Sequence, residues 1–233
     1  MRIKLISFCS VCILLISCME GEKAKTKKNL PAYADLLASV ENQRVLFQKE
    51  YKNADESVRN NILERAESYL LTTITHDFFD QWTGTEWDFN GTTRTPRKGK
   101  IACGYFITTV LSDAGFKIPR VKWAQQASEY YITRMTSDVK RFSNQTSEYM
   151  KTYFLNQPDG LYVAGLDSHV GFVCKSGDEI TFTHASYYDP TIGVQTEELT
   201  EDNPFAKSAY RVVGRILGKE MIQKWILGES WGE

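Results

Sequence analysis

The chain has 233 residues, a formal net charge of -1 at pH 7 and 42% hydrophobic residues. That is enough apolar side chain for a sizeable core, and a near-neutral chain with no basic run in its folded part is not built for nucleic acid. Five cysteines without framework spacing exclude a disulfide scaffold, and there is no internal repeat, phosphate-loop glycine pattern or paired-cysteine zinc signature.

Residues 1–17 read as a signal peptide. Arg2 and Lys4 form a positive start, and the apolar run behind them is shorter than the ~20 residues that span a membrane. The run ends Leu15-Ile16-Ser17-Cys18, which resembles a bacterial lipoprotein box with Cys18 as the lipidated residue. Loss of Arg2 and Lys4 with the leader takes the charge to -3. Residues 18–29 are polar and lysine-rich, a lipidated tether between membrane and domain. The expected location is therefore the bacterial cell envelope, with the membrane engaged through lipid on Cys18. Cys9 and Cys12 fall in the discarded leader, so Cys103 and Cys174 are the remaining thiols, and a bond between them stays open at this point.

Residues 30–233 are read as one domain. Residues 30–51 and 55–76 carry helical periodicity, with Tyr33, Leu36, Leu37, Val40, Val45 and Phe47 as core candidates in the first. Val58, Ile62, Leu63, Ala66, Leu70 and Ile74 are the candidates in the second, and Asp55 stands at its N-cap. His76 is assigned a structural place at the end of that second helix, where a cation suits the dipole. Residues 78–97 are rich in Trp, Gly, Thr and Asn and read as a loop with one short strand. Its Trp82, Trp87 and Phe89 are placed either lining a groove or lidding the core.

Residues 100–116, KIACGYFITTVLSDAGF, form an amphipathic helix that starts at Cys103 and ends at a Gly115 cap backed by Phe116. A thiol at a helix start meets unpaired N–H groups and the positive dipole end, which favour thiolate and can hold an oxyanion. The plain alternative is a small buried hydrophobe. Residues 122–156 are again mostly helical in composition. Segments 160–166, 169–174, 179–185, 193–198 and 209–217 then read as strands, so the fold class is α+β with an antiparallel sheet.

Two of the three histidines lie in that sheet. On 169–174, His169, Gly171 and Val173 share one face and Cys174 points the other way, buried and inert. His184 closes the next strand, so a hairpin sets the two histidines side by side. A cysteine at a helix start, a histidine on a strand and a second polar residue holding it make a nucleophile, base and orienter. Asp189 competes with His184 as orienter, although its Asp-Pro context reads as a turn. The same cysteine and histidines could take zinc, but nucleophilic catalysis needs no fourth ligand and no metal or other cofactor is expected.

Several of these segments together resemble the NlpC family of papain-like cysteine peptidases of the bacterial cell wall. They are Ile101-Ala102-Cys103-Gly104-Tyr105-Phe106, then Ile118-Pro119-Arg120 with Gln125, then Pro158-Asp159-Gly160-Leu161, Ser168-His169-Val170-Gly171 and His184-Ala185-Ser186. The resemblance spans about residues 87–186. It implies a papain-like fold, N-terminal helices with the nucleophile at a helix start packed on an antiparallel sheet. It also implies Cys103 as nucleophile, His169 as general base and acid, His184 as orienter, and peptidoglycan stem peptides as substrate. Trp87, Asn90 and Gly104 fall at the substrate and oxyanion side. The chain departs from the family in three places. It has Ala102-Cys103-Gly104 where members usually have Asp-Cys-Ser, Trp87-Asp88-Phe89-Asn90 where they usually carry an upstream tyrosine, and a helical insertion at 127–156. Two other functions remain open: a non-catalytic envelope lipoprotein binding wall peptides or a protein partner, and an acyltransferase that passes the acyl group to an amine or lipid.

Overall fold

A computed structural model of the chain describes residues 30–199 and 202–232. The expected signal peptide, the expected lipidation site Cys18 and the expected tether fall in residues 1–29, outside the described residues. No helix among the described residues is long and apolar enough to cross a membrane.

The domain is α+β. Helices α1 (Tyr33–Asn53) and α2 (Glu56–Thr72) come first. A π-helical turn, Thr73–Phe78, runs on into α3 (Phe79–Trp82). Then follow α4 (Cys103–Asp113), α5 (Arg120–Ala124), α6 (Ser128–Met135), β1 (Val139–Ser143) and α7 (Ser147–Leu155). The sheet strands β2 (Gly160–Leu166), β3 (Val170–Ser176), β4 (Glu179–Ala185) and β5 (Val194–Glu198) are consecutive. Helix α8 (Pro204–Lys207), β6 (Tyr210–Arg215) and α9 (Lys219–Leu227) complete the chain. The six strands pair antiparallel in the order β1-β6-β2-β3-β4-β5.

Period-two alternation divides the sheet's side chains between two cores. Leu161, Val163, Val170, Phe172 and Val212 join the larger helical core, while Tyr162, Ala164, Val173, Phe182 and Val213 pack with Met150, Phe154 and Phe205. Cys174 lies against the first core, as the alternation predicts. Both Cys103 and Cys174 are free thiols, which removes the disulfide left open above.

Several expectations need correction. Residues 122–156 are mostly helical, as expected, but they also hold β1, whose pairing with β6 makes it the sheet's edge strand. Short polar Val-Lys-Arg-Phe-Ser has no strong strand signal of its own, and its pairing partner is distant in the chain. The second helix does not stop at His76. The π turn shifts the helical phase so that Ile74, Phe78, Phe79 and Trp82 are all buried. Trp82 is therefore core and no part of a groove, and exposed His76 lies within a helical run, its Nδ1 within 3.2 Å of the Thr72 carbonyl. Val45 is exposed because the buried stripe of α1 runs Leu36, Val40, Arg44, Phe47 and Tyr51. Val58 is exposed in the first turn of α2, ahead of the stripe that begins at Ile62. Asp55 occupies the N-cap position but its side chain makes no capping bond. The short strand expected within 78–97 reduces to isolated bridges, Ile101 pairing with Trp87 and with Thr92.

Helix α4 ends as expected. Gly115 takes φ +91°, a region open to glycine, and the Phe116 amide donates back to the Leu111 carbonyl at 3.1 Å. The chain's C-terminal helix then locks this end. Trp225 of α9 is buried and donates its indole N–H to the Ala114 carbonyl at 2.7 Å, with Phe47, Tyr69 and Phe116 around it. Trp225→Ala is expected to lower stability by about 3–5 kcal/mol, the range for emptying a buried aromatic site. Urea unfolding of the variant against the parent measures it, and a loss under 1 kcal/mol would mean α9 does not brace α4.

Candidate active site

The thiol is placed by α4. Ala102 stands at the N-cap in extended conformation and provides no side-chain cap, so the first-turn N–H groups are not spent on one. The chain before the helix is fastened on both sides: Ile101 N–H donates to the Glu86 carbonyl at 2.9 Å and Ala102 N–H to the Gly91 carbonyl at 2.8 Å. Arg120 adds a third tie, donating to Thr109 Oγ1 at 2.7 Å and to the Thr92 and Thr93 carbonyls at 3.0 and 3.1 Å. Gly104 is where α4 meets α5: a Cβ there would stand 2.6 Å from the Ala124 carbonyl oxygen. Any side chain at 104 would therefore force the α5 backbone to shift.

Cys103 is partly exposed, and the amides of Gly104, Val170 and Cys103 itself lie close enough to the sulfur to favour its thiolate. Burial outweighs them and pushes the thiol up from its ordinary value. The helix-start expectation of a ready thiolate therefore does not hold: the desolvation cost is the larger effect.

Val170 opens β3, and His169 immediately precedes it. The β3–β4 register pairs Phe172 with Thr183, which sets His169 diagonally beside His184 on one face. His169 Nε2 lies 2.8 Å from His184 Nδ1. His184 Nε2 lies 3.0 Å from Glu197 Oε2, and its ring stacks on Phe182 at 4.5 Å. His169 is buried, and its other nitrogen, Nδ1, has no hydrogen-bond partner. Burial first, and the neighbouring His184 second, hold the His169 imidazole well below its usual pKa, so it is neutral at physiological pH. Asp189 does not reach the histidines; its carboxylate accepts from Thr191 Oγ1 and the Ile192 amide in a turn.

Cys103 and His169 together line two lobes of one cleft. The larger, about 640 Å³, is walled by Trp87, Asn90, Tyr105, Gln125 and Tyr187. The smaller, about 400 Å³, is walled by Ser128, Glu129, Tyr131, Asp167 and Tyr210. The structure thus brings Cys103, His169, Trp87, Asn90 and Gly104 to one cleft, with His184 buried behind His169. Phe89 is 79% exposed and also reaches the larger lobe. Two further polar atoms of residues that line the cleft are buried without partners, Trp87 Nε1 and Tyr131 Oη. Burial drives the Tyr131 hydroxyl far above its ordinary pKa, so it stays a donor.

Sequence reading missed Tyr131, Tyr187 and Glu197. Glu197 sits on a strand that alternates polar residues, and only the pairing of β5 with β4 shows that its carboxylate meets His184. Tyr131 lies in the segment read as an insertion, yet α6 seats directly on the sheet: a Cβ at Gly165 would overlap Ser128 Oγ. Among the described residues, no group of three or more His, Cys, Asp or Glu side chains is placed to hold a metal ion. No protein-family model matches the chain, nor does any curated protein or solved structure.

A histidine held neutral in the fold but free to charge when unfolded gives stability a definite pH slope. Above about pH 6.5 both states are neutral and the group costs nothing. As pH falls the unfolded chain binds the proton first, so stability drops by at most about 1.4 kcal/mol per pH unit from this residue. His169→Gln is expected to flatten that slope between pH 6.5 and 5, read by urea unfolding at each pH. Equal slopes in variant and parent would mean that His169 titrates as if exposed.

Proposed function

We propose that the protein is a cysteine hydrolase with a papain-like fold of the NlpC kind. It cleaves amide bonds in peptidoglycan stem peptides from a lipid-anchored position in the bacterial envelope. The observation that carries this reading is that one cleft is lined both by Cys103, its sulfur near the amides of Val170 and of the α4 start, and by a neutral His169. That imidazole is tied through Nε2 to His184 and keeps Nδ1 without a hydrogen-bond partner.

The chemistry follows from the neutral resting state. His169 Nδ1 takes the thiol proton as the Cys103 sulfur attacks the amide carbonyl, so the ion pair forms with the bond and not before it. The carbonyl oxygen becomes an oxyanion held by backbone N–H groups at the start of α4, with the Trp87 indole N–H as a further donor. The C–N bond breaks, the leaving amine takes the proton from His169, and the acyl group remains on sulfur as a thioester. Water, its proton drawn by His169, hydrolyses the thioester and restores the thiol. His184 keeps the His169 ring in place throughout. The Tyr131 hydroxyl offers the substrate a hydrogen bond in the smaller lobe.

A second reading, an envelope lipoprotein that binds wall peptides without cutting them, is favoured by one observation. Burial pushes the thiol and the imidazole both toward their neutral forms, and no hydrogen bond joins them. The two readings separate on product analysis. Purified protein incubated with stem peptides containing a diamino acid is expected to release new amino termini, followed by chromatography and mass spectrometry. Cys103→Ala should lower the rate by about 1,000-fold or more. Trp87→Phe should lower kcat by about 100-fold as one oxyanion donor is lost. Peptides that bind equally to parent and Cys103→Ala, with no cleavage by either, would establish the binding role instead.

A further inference from the structure

Beyond the nucleophile and its histidines, a carboxylate closes the line of hydrogen bonds. Both ring nitrogens of His184 are engaged: Nδ1 with His169 Nε2 at 2.8 Å and Nε2 with Glu197 Oε2 at 3.0 Å. A neutral imidazole has one N–H and one lone pair, so only one of its two tautomers suits any given pair of neighbours. An ionised carboxylate only accepts. Glu197 therefore selects the His184 tautomer with its proton on Nε2, which leaves Nδ1 to accept. The partner at Nδ1 must then donate, which places the His169 proton on Nε2 and strips it from Nδ1. That is the nitrogen with no hydrogen-bond partner.

Glu197 is itself held for this task. Its other oxygen accepts from Gln195 Nε2 at 3.1 Å, and Gln195 lies directly across from His184 in the β4–β5 register. Glu197 pairs across from Phe182, the ring on which His184 stacks, so His184, Phe182, Gln195 and Glu197 share one sheet face. The His184 side chain is fully buried, whereas that of Glu197 is 31% exposed at the edge strand. The carboxylate thus keeps some contact with water while reaching the buried ring.

We infer that Glu197 is a positioning residue that acts through His184 to hold His169 in the tautomer with an unprotonated Nδ1. The catalytic meaning of this relay rests on the hydrolase reading, but the relay is read without turnover. The test is the imidazole ¹⁵N spectrum of the full-length chain at pH 7.5. It contains three histidines, and His76→Gln removes the one outside the relay. In the parent, His169 and His184 should both show the proton on Nε2. In Glu197→Ala, and in Glu197→Leu, which keeps the bulk on the strand, both rings should shift together toward the Nδ1–H form. Activity on stem peptides should fall by about 100-fold in kcat with KM little changed. A parent His169 protonated at Nδ1, a doubly protonated His184, or tautomers unmoved in both folded variants would overturn the relay. Tautomers that shift as stated in a chain that cleaves nothing would leave the relay standing and remove the hydrolase reading alone.

Discussion

The register of the β3–β4 hairpin is the constraint on which the candidate site depends. Pairing Phe172 with Thr183 sets His169 and His184 on one face, 2.8 Å apart between ring nitrogens. A slip of one residue would turn one histidine to the opposite face and break the contact. Apolar burial on both faces resists such a slip. Val170 and Phe172 must enter the helical core while Val173 and Phe182 enter the other, and the alternation excludes any one-residue slip. The site is thus a by-product of core packing on a two-faced sheet, placed at the end where β3 begins.

The cysteine is brought to that end by a different set of forces. Helix α4 is buried along Phe106, Ile107, Val110 and Leu111, seated on α5 at Gly104, and tied at its far end to Trp225 of α9. Its start is left uncapped by side chains, with the amides of Cys103, Gly104 and Val170 close to the sulfur. Those amides and the surrounding burial oppose each other. Burial prevails, which favours a neutral thiol and a neutral imidazole lining one cleft. A protonated, desolvated thiol is less exposed to stray oxidation than a thiolate, since reactivity follows the thiolate form.

How much of this could be read from the sequence depended on how local the signal was. The α4 start at Cys103, its Gly115 cap, the strands from Gly160 onward and the facing of Cys174 away from His169 rest on short periodicities and turn residues. They are present in the structure nearly as read. What escaped was non-local. β1 is polar and gains its strand character by pairing with β6, some seventy residues later. Trp225 of α9 touches α1, α2 and the end of α4 at once, a contact no local pattern announces. Glu197 and Tyr131 look like ordinary strand and helix residues until the fold sets them beside His184 and Cys103. A helix start is visible in sequence, whereas the depth of burial that offsets its pull toward thiolate is not.

The central claim is that His169 serves the Cys103 thiol as its base. The most direct measurement is the rate of iodoacetamide alkylation at Cys103, read by peptide mass mapping across pH 6–10, in the Cys174→Ala background with and without His169→Ala. The account predicts slow alkylation at neutral pH with a midpoint above the free-thiol value of about 8.5, and a rate near pH 7.5 that falls about tenfold or more when His169 is removed. A Cys103 whose rate and midpoint are the same with and without His169 would contradict it, and would leave the cleft as a binding site with a bystander thiol.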